Sequence, residues 1–381
     1  MGMDPTLAQE LRAWMFDVAL PFWADRGLDR AKGGVFESFA LDGRTPSGVP
    51  FKRTRVTCRQ LYVFSHAELL GSAPAAVVAA DWAYAFLIEK HWAGPEQGWV
   101  CRVNADGRPL DATPDLYDYA FALFALGWRY KARRDAETLR LAHQTLDIID
   151  GRFRHPGGLG FHAVLPGRLP REQNPHMHLI EAALVLWEAS GEPRFRDLAN
   201  EISALFQNRI CRLPEGVLPE FFDDDWNPVP DDKGRWIEPG HQFEWAWILA
   251  QHQRLTGADN TAVVKALVAW AEGYGVDQAS QITFNGVRDD GLPLDKGSRT
   301  WPNTERIKGW IGLSELTDAD PWPAVQGSAR VLLDRYLGTA PAAGWIDAFD
   351  AEGRPKVEVI PTSTLYHVFL AFAEALRHAE A

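Results

Sequence analysis

The 381-residue sequence predicts an all-α protein, an (α/α)6 toroid of six helical hairpins with short β segments in its loops. Three observations point there. Short Gly-led aromatic or β-branched segments recur, marked by Gly34, Gly98, Gly158, Gly216, Gly286 and Gly344, at spacings of 58 to 70 residues. Such a period is the mark of a repeated supersecondary unit. Two helical patterns stand between successive markers, and no strand of useful length appears.

The helical patterns run, in order, over 6–24, 54–71, 74–91, 114–131, 135–151, 174–190, 194–209, 240–256, 260–277, 300–316, 321–337 and 361–378. Leu116, Ala120, Leu123 and Leu126 recur with helical spacing, as do Leu179, Ala182, Val185 and Leu186. Thr113-Pro114, Asn174-Pro175, Pro239-Gly240, Asp320-Pro321 and Pro361-Thr362 punctuate helix starts. Gly71, Gly191 and Gly257 stand where helices should end. FALFALGW (121–128) and FEWAWILA (243–250) have almost no polar face, as an inner ring requires. RFRDLANEISALF (194–206) has a charged face, as an outer helix should. The second, fourth, sixth, eighth, tenth and twelfth helices are therefore the expected inner ring. No Pro/Ser-rich linker or low-complexity tract interrupts the chain, so residues 1–381 are expected to form one catalytic domain.

Composition excludes several function classes. The formal net charge is −12, leaving no basic excess to neutralise phosphates, so nucleic acid is not an expected partner. No apolar run approaches the ~20 residues of a membrane span. The N-terminus lacks the basic and apolar regions of a signal peptide. Cys58, Cys101 and Cys211 are far apart and show neither disulfide nor metal spacing, which suits a reducing cytoplasm. Sixteen tryptophans and twenty phenylalanines exceed the needs of an ordinary core and suggest a lined cleft. There is no phosphate loop, dinucleotide fingerprint or nucleophile elbow.

In such a toroid the inner helices run parallel, and their first turns share one mouth near the positive ends of the helix dipoles. Those turns carry Arg55, Arg59 and Tyr62; Tyr117 and Asp118; Asn174, His178 and Glu181; His241 and Glu244; Glu305 and Arg306; and, somewhat deeper, His367. A lone buried histidine is usually structural, but three at the same end of one ring are a coincidence that favours chemistry. His176 and His178 form H-x-H, yet two residues apart on a helix their side chains diverge by roughly 200°, which argues against a shared metal. Asp223–Asp225 reads as a solvated turn. Imidazoles, with an ordinary pKa of ~6.5, suit proton shuttling near neutrality. Arginine and asparagine can steady an enediolate oxygen, and aromatics can stack on a sugar ring.

The segments RQLYVFSHAELLG (59–71), LYDYAFALFAL (116–126), NPHMHLIEA (174–182), EPGHQFEWAWIL (238–249) and PTSTLYHVFLAFAEA (361–375) resemble the N-acylglucosamine 2-epimerase family in sequence and in order. That resemblance implies an (α/α)6 barrel and a sugar isomerase or epimerase acting on a monosaccharide, and the proton-shuttle chemistry of its histidines implies an activity that needs no metal or cofactor. The resemblance implies that His241 and His367 are the acid/base pair, that His178 serves ring opening, and that Glu244 supports His241. It also places Arg59, Asn174 and Tyr117 at sugar oxygens; Arg55 and Trp310 are expected nearby by proximity alone. GHQFEW fits the isomerase and N-acylglucosamine branches better than the cellobiose branch. The expected activity is aldose–ketose isomerisation of mannose or a close relative. The alternatives are an N-acylglucosamine or other sugar 2-epimerase, and a carbohydrate hydrolase or lyase with Glu244 opposing one of Asp223–Asp225. A monomer or homodimer is expected.

Overall fold

A computed structural model of the chain describes residues 2–72 and 74–380. In chain order its α-helices are α1 (Pro5–Ala13), α2 (Leu20–Asp25), α3 (Thr54–Leu69), α4 (Pro74–Phe86), α5 (Leu116–Arg133), α6 (Ala136–Ile148), α7 (Asn174–Ser190), α8 (Pro193–Leu205), α9 (Pro239–Thr256), α10 (Thr261–Gly275), α11 (Thr300–Leu316), α12 (Trp322–Val331) and α13 (Leu365–Glu380). The expected helices over 174–190 and 300–316 agree with α7 and α11 at both ends. The others differ by a few residues, chiefly because α4, α6, α8 and α12 finish in wider π turns. These turns span Leu87–His91 after α4, Ile149–Phe153 after α6, Phe206–Ile210 after α8 and Leu332–Leu337 after α12; Trp14–Ala19 forms one between α1 and α2.

The described residues form two compact units. One comprises Leu20–Ile202 and Pro361–Tyr366. In it α3, α5 and α7 pack side by side, with α4 against α3 and α6 against α5. The other comprises Met1–Ala19, Ser203–Ile360 and His367–Ala381. There α9 lies against α11, with α10 packed on α9 and α12 on α11.

Periodicity explains which helices lie inside each unit. Every residue of α9 from Pro239 to His252 is buried, as a helix apolar on all sides must be. On α8 and its π turn the buried residues are Phe195, Leu198, Ala199, Ile202, Ser203, Leu205, Phe206 and Ile210, one stripe with charge on the far side. Each large side chain buried this way is worth about 1.5–3 kcal/mol.

Short strands lead into the inner helices and fix where they start. Phe51–Arg53 runs into α3 and pairs with Arg102–Asn104. Trp236–Ile237 precedes α9 and pairs with Gly286–Arg288. Ser298–Arg299 runs into α11 and pairs with Ala348–Phe349. At its far end α9 is closed by Gly257, whose φ of 79° lies in the left-handed region that glycine adopts without strain.

Candidate active site

The polar residues at the helix starts form one cluster in each unit. In the unit holding α9 and α11, His241 is the third residue of α9. Pro239 opens that helix with a preset φ and no N–H to satisfy. A Cβ on Gly240 would lie 2.5 Å from the Trp301 ring and 3.1 Å from the Pro302 backbone, so glycine lets the first turns of α9 and α11 touch. That contact sets the Trp301 indole 4.9 Å from the His241 ring. The same indole is 5.8 Å from the His367 ring. Both imidazoles thus face one aromatic plate.

Each imidazole is oriented by a carboxylate. His241 Nδ1 donates to Glu220, 2.9 Å from Oε2. His367 Nδ1 donates to Glu305 Oε1 at 2.9 Å. With Nδ1 so engaged, the basic lone pair of each neutral ring resides on Nε2. Burial works against charging His241, but the charge of Glu220, its hydrogen bond, and the fields of Glu238 and Glu244 outweigh it and lift the pKa to about 9. Burial also disfavours a charged Glu305, yet Lys308 and the bond to His367 hold this carboxyl below its ordinary value. Lys308 Nζ lies 2.6 Å from Glu305 Oε2, and both side chains are wholly buried. It is 4.0 Å from Glu244 Oε1. Ligand atoms of Glu244, Glu305 and His367 fall within 4.8 Å of one another, a spacing a metal could use, but the ammonium of Lys308 already supplies positive charge there.

Glu220 holds His241 through Nδ1, while Glu244 adds its negative field to that imidazole and also stands opposite Lys308. Two expectations need correction. Trp310 is not at the histidines: it bonds Glu272 through Nε1 at 2.9 Å and lines a groove with α10 residues Lys265, Val268 and Ala269. Arg306 likewise pairs with Glu272, at 2.7 Å, on the α10 side of α11. Asp223 accepts from the backbone N–H groups of Asp225 and Asn227, as expected of a turn.

The cluster in the other unit is rich in guanidinium groups. Arg55 pairs with Asp118 at 2.8 Å and Asp115 at 2.9 Å. Arg59, 7% exposed, donates from Nη2 to the Tyr117 hydroxyl at 2.7 Å and lies over the rings of Phe121 and Tyr366. A cavity of about 410 Å³ is lined by Arg53, Arg55, Arg59, Tyr117, Arg168 and Asn174, among others. The Asn174 Oδ1 atom is buried and accepts no hydrogen bond among the described residues. Arg168 makes no ion pair among them. His178 is buried, with Nδ1 3.2 Å from Glu181 Oε2 and its ring edge-on to Tyr117 at 4.9 Å. Glu181 also accepts from the Tyr366 hydroxyl at 3.0 Å. His176 is structural: Nε2 accepts from the Phe161 N–H, and burial with nearby Arg171 lowers its pKa to about 3.

Sequence reasoning assigned no role to Glu220, Trp301 or Lys308. Each left a faint mark. Glu220 is an acid inside the apolar marker GVLPEFF. Glu305 and Lys308 are opposite charges at i, i+3 on a helix expected to be apolar.

Two carboxylate-oriented histidines on one indole are the kind of groups that general acid–base chemistry uses. Comparison with known proteins goes further. Residues 34–371 match the family described as N-acylglucosamine 2-epimerase (GlcNAc 2-epimerase). The chain belongs to that family of sugar isomerases and epimerases. It is 36% identical to a mannose-6-phosphate isomerase of Rhizobium meliloti, over 98% of each chain. It is 27% identical to a D-mannose isomerase of Thermobifida fusca, over 87% of this chain and 86% of the relative. The solved cellobiose 2-epimerase of Spirochaeta thermophila superposes with a TM-score of 0.85 at 26% identity, covering 99% of this chain and 98% of that one. Among the described residues no helix is long and apolar enough to cross a membrane.

Proposed function

We propose that the protein is an aldose–ketose isomerase that interconverts mannose, or a close relative, with its ketose. The observation that carries this reading is the pair His241 and His367, each oriented through Nδ1 by a carboxylate and each facing Trp301. Opening the ring yields the C1 aldehyde. A neutral imidazole then removes the C2 proton, and the electron pair passes into an enediolate. A protonated imidazole delivers a proton to C1, while the C2 hydroxyl proton passes to the C1 oxygen as the ketone forms. C1 is reduced as C2 is oxidised, so no external oxidant is needed. His178 is assigned to ring opening, and Arg59, Tyr117, Asn174 and Arg55 to sugar oxygens. Glu244 is assigned to the electrostatics beside Lys308. The proposed scaffold is the (α/α)6 toroid, supported by the order of the inner helices and by the likeness to the epimerase structure. A cytoplasmic setting is supported by three unpaired cysteines.

A second reading, that the preferred sugar carries a 6-phosphate, is favoured by the arginine-lined cavity and by the name of the Rhizobium relative. The enzyme is to be incubated with mannose, mannose 6-phosphate, N-acetylmannosamine and cello-oligosaccharides in deuterated water, with and without chelator, and followed by NMR. Fructose or its 6-phosphate, labelled from solvent at C1 and formed despite the chelator, supports isomerisation. A 2-epimer as sole product moves the assignment to epimerase. New reducing ends from the oligosaccharides, with no hexose conversion, overturn it.

A further inference from the structure

The two histidine–carboxylate pairs are not electrostatic equals. Glu220 serves His241 at 2.9 Å, and the nearby Glu238 and Glu244 add negative field. Glu238 is itself paired with Arg299 at 2.8 Å, so the larger share falls to Glu220. Glu305, by contrast, divides its charge. One oxygen receives the His367 N–H at 2.9 Å, and the other receives the Lys308 ammonium at 2.6 Å. Glu244 faces Lys308 from α9 at 4.0 Å and brings a carboxylate oxygen within 4.8 Å of a His367 ring nitrogen, so Lys308 offsets that charge as well; the Trp247 ring lies beneath the ammonium at 4.6 Å. Lys308 and Glu305 are fully buried, so water screens their interaction little. A carboxylate neutralised by an ammonium stabilises an imidazolium less than the same carboxylate does without it, and the ammonium also repels the imidazolium directly.

From this geometry we infer that Lys308 is a positioning residue that acts through Glu305 to keep His367 an uncharged proton acceptor, leaving His241 as the proton donor. The assignment rests on the isomerase reading for its consequence, but its charge ordering is a property of the resting protein. Replacing Lys308 by methionine removes one positive charge from a closed cluster. The cluster then takes up a proton. If His367 gains it, the base becomes imidazolium. If Glu305 gains it, the new acid donates to Nδ1 and shifts the ring proton of His367 to Nε2. Either outcome disables the base, so the variant needs a higher pH to function.

The test uses the full-length protein with ¹⁵N-labelled histidine, with signals assigned through the single variants His241→Asn and His367→Asn. In the wild type, His367 is expected to titrate at least one pH unit below His241. In Lys308→Met the acidic limb of kcat/KM is expected to move up by at least one unit while the basic limb stays within about 0.3 unit. Lys308→Arg is expected to restore most of the shift. If His367 in the wild type titrates at or above His241, the inference is overturned whether or not any variant folds. It is also overturned if Lys308→Met loses activity uniformly across pH with both limbs unmoved. Failure of the functional reading looks different: the two asparagine variants would retain turnover, while the NMR ordering could still hold.

Discussion

The two polar clusters differ in the kind of charge they hold and in how they hold it. Around His241 and His367 the charged groups are carboxylates, imidazoles, the Lys308 ammonium and the Arg299 guanidinium beside Trp301, mostly buried and each fixed by a hydrogen bond or ion pair. Around Tyr117 and Asn174 they are mainly guanidinium groups bordering a cavity, with Arg168 exposed. Proton transfer needs tuned pKa values, hence burial and charge partners. Recognition needs donors presented to an opening, hence arginine and an amide. The contrast suggests a division of labour in which one cluster sets kcat and the other KM.

Removing either histidine should break that division most visibly. His367→Asn or His241→Asn is expected to lower kcat about 10²–10⁴-fold with KM nearly unchanged, as steady-state kinetics will show. Arg59→Met should act the other way. Loss of a charged hydrogen bond, worth about 1.5–3 kcal/mol, is expected to reduce kcat/KM roughly 10–100-fold, mostly through KM. A fall confined to kcat would place Arg59 in the chemistry and blur the two clusters.

The pH dependence of stability sharpens the same comparison. The pKa of His241 is raised from 6.5 to about 9, so the stability it contributes is full below pH 6.5 and is lost as pH rises through 9. Urea unfolding should show the wild type losing roughly 3 kcal/mol relative to His241→Gln across that window. A flat difference would mean that Glu220 does not hold the imidazolium. The smallest effect is expected at Trp310, which lies in the groove beside α10. Trp310→Phe should cost about 1 kcal/mol through its bond to Glu272 and leave kcat and KM within twofold.

Much of this was legible in the sequence because it is written in local periodicity. A continuous apolar run such as FEWAWILA can only be an interior helix, and Asn174-Pro175 marks a helix start by backbone chemistry alone. The partners of the histidines were not legible. Glu220 meets His241 from 21 residues away through a loop, and Glu305 meets His367 across 62 residues. No spacing rule encodes such pairings, because they depend on how separate helices pack. The second charge contact of Glu244 was hidden for the same reason: on α9 it neighbours His241 in sequence, but it also faces Lys308 on α11. Trp310 was misplaced because its face of α11 turns towards α10, and an aromatic residue alone does not reveal its facing.

The π turns that finish α4, α6, α8 and α12 have a consequence for how this chain tolerates change in length. Each accommodates one residue more than a regular turn would, and the widening recurs at Leu87–His91, Ile149–Phe153, Phe206–Ile210 and Leu332–Leu337. Deleting a residue there would let the turn relax to ordinary winding with the helix around it nearly in phase, whereas a deletion in a regular turn swings the rest of the helix round by about 100°. The widened turns are thus the places where these helices can lose a residue and keep the same face inward.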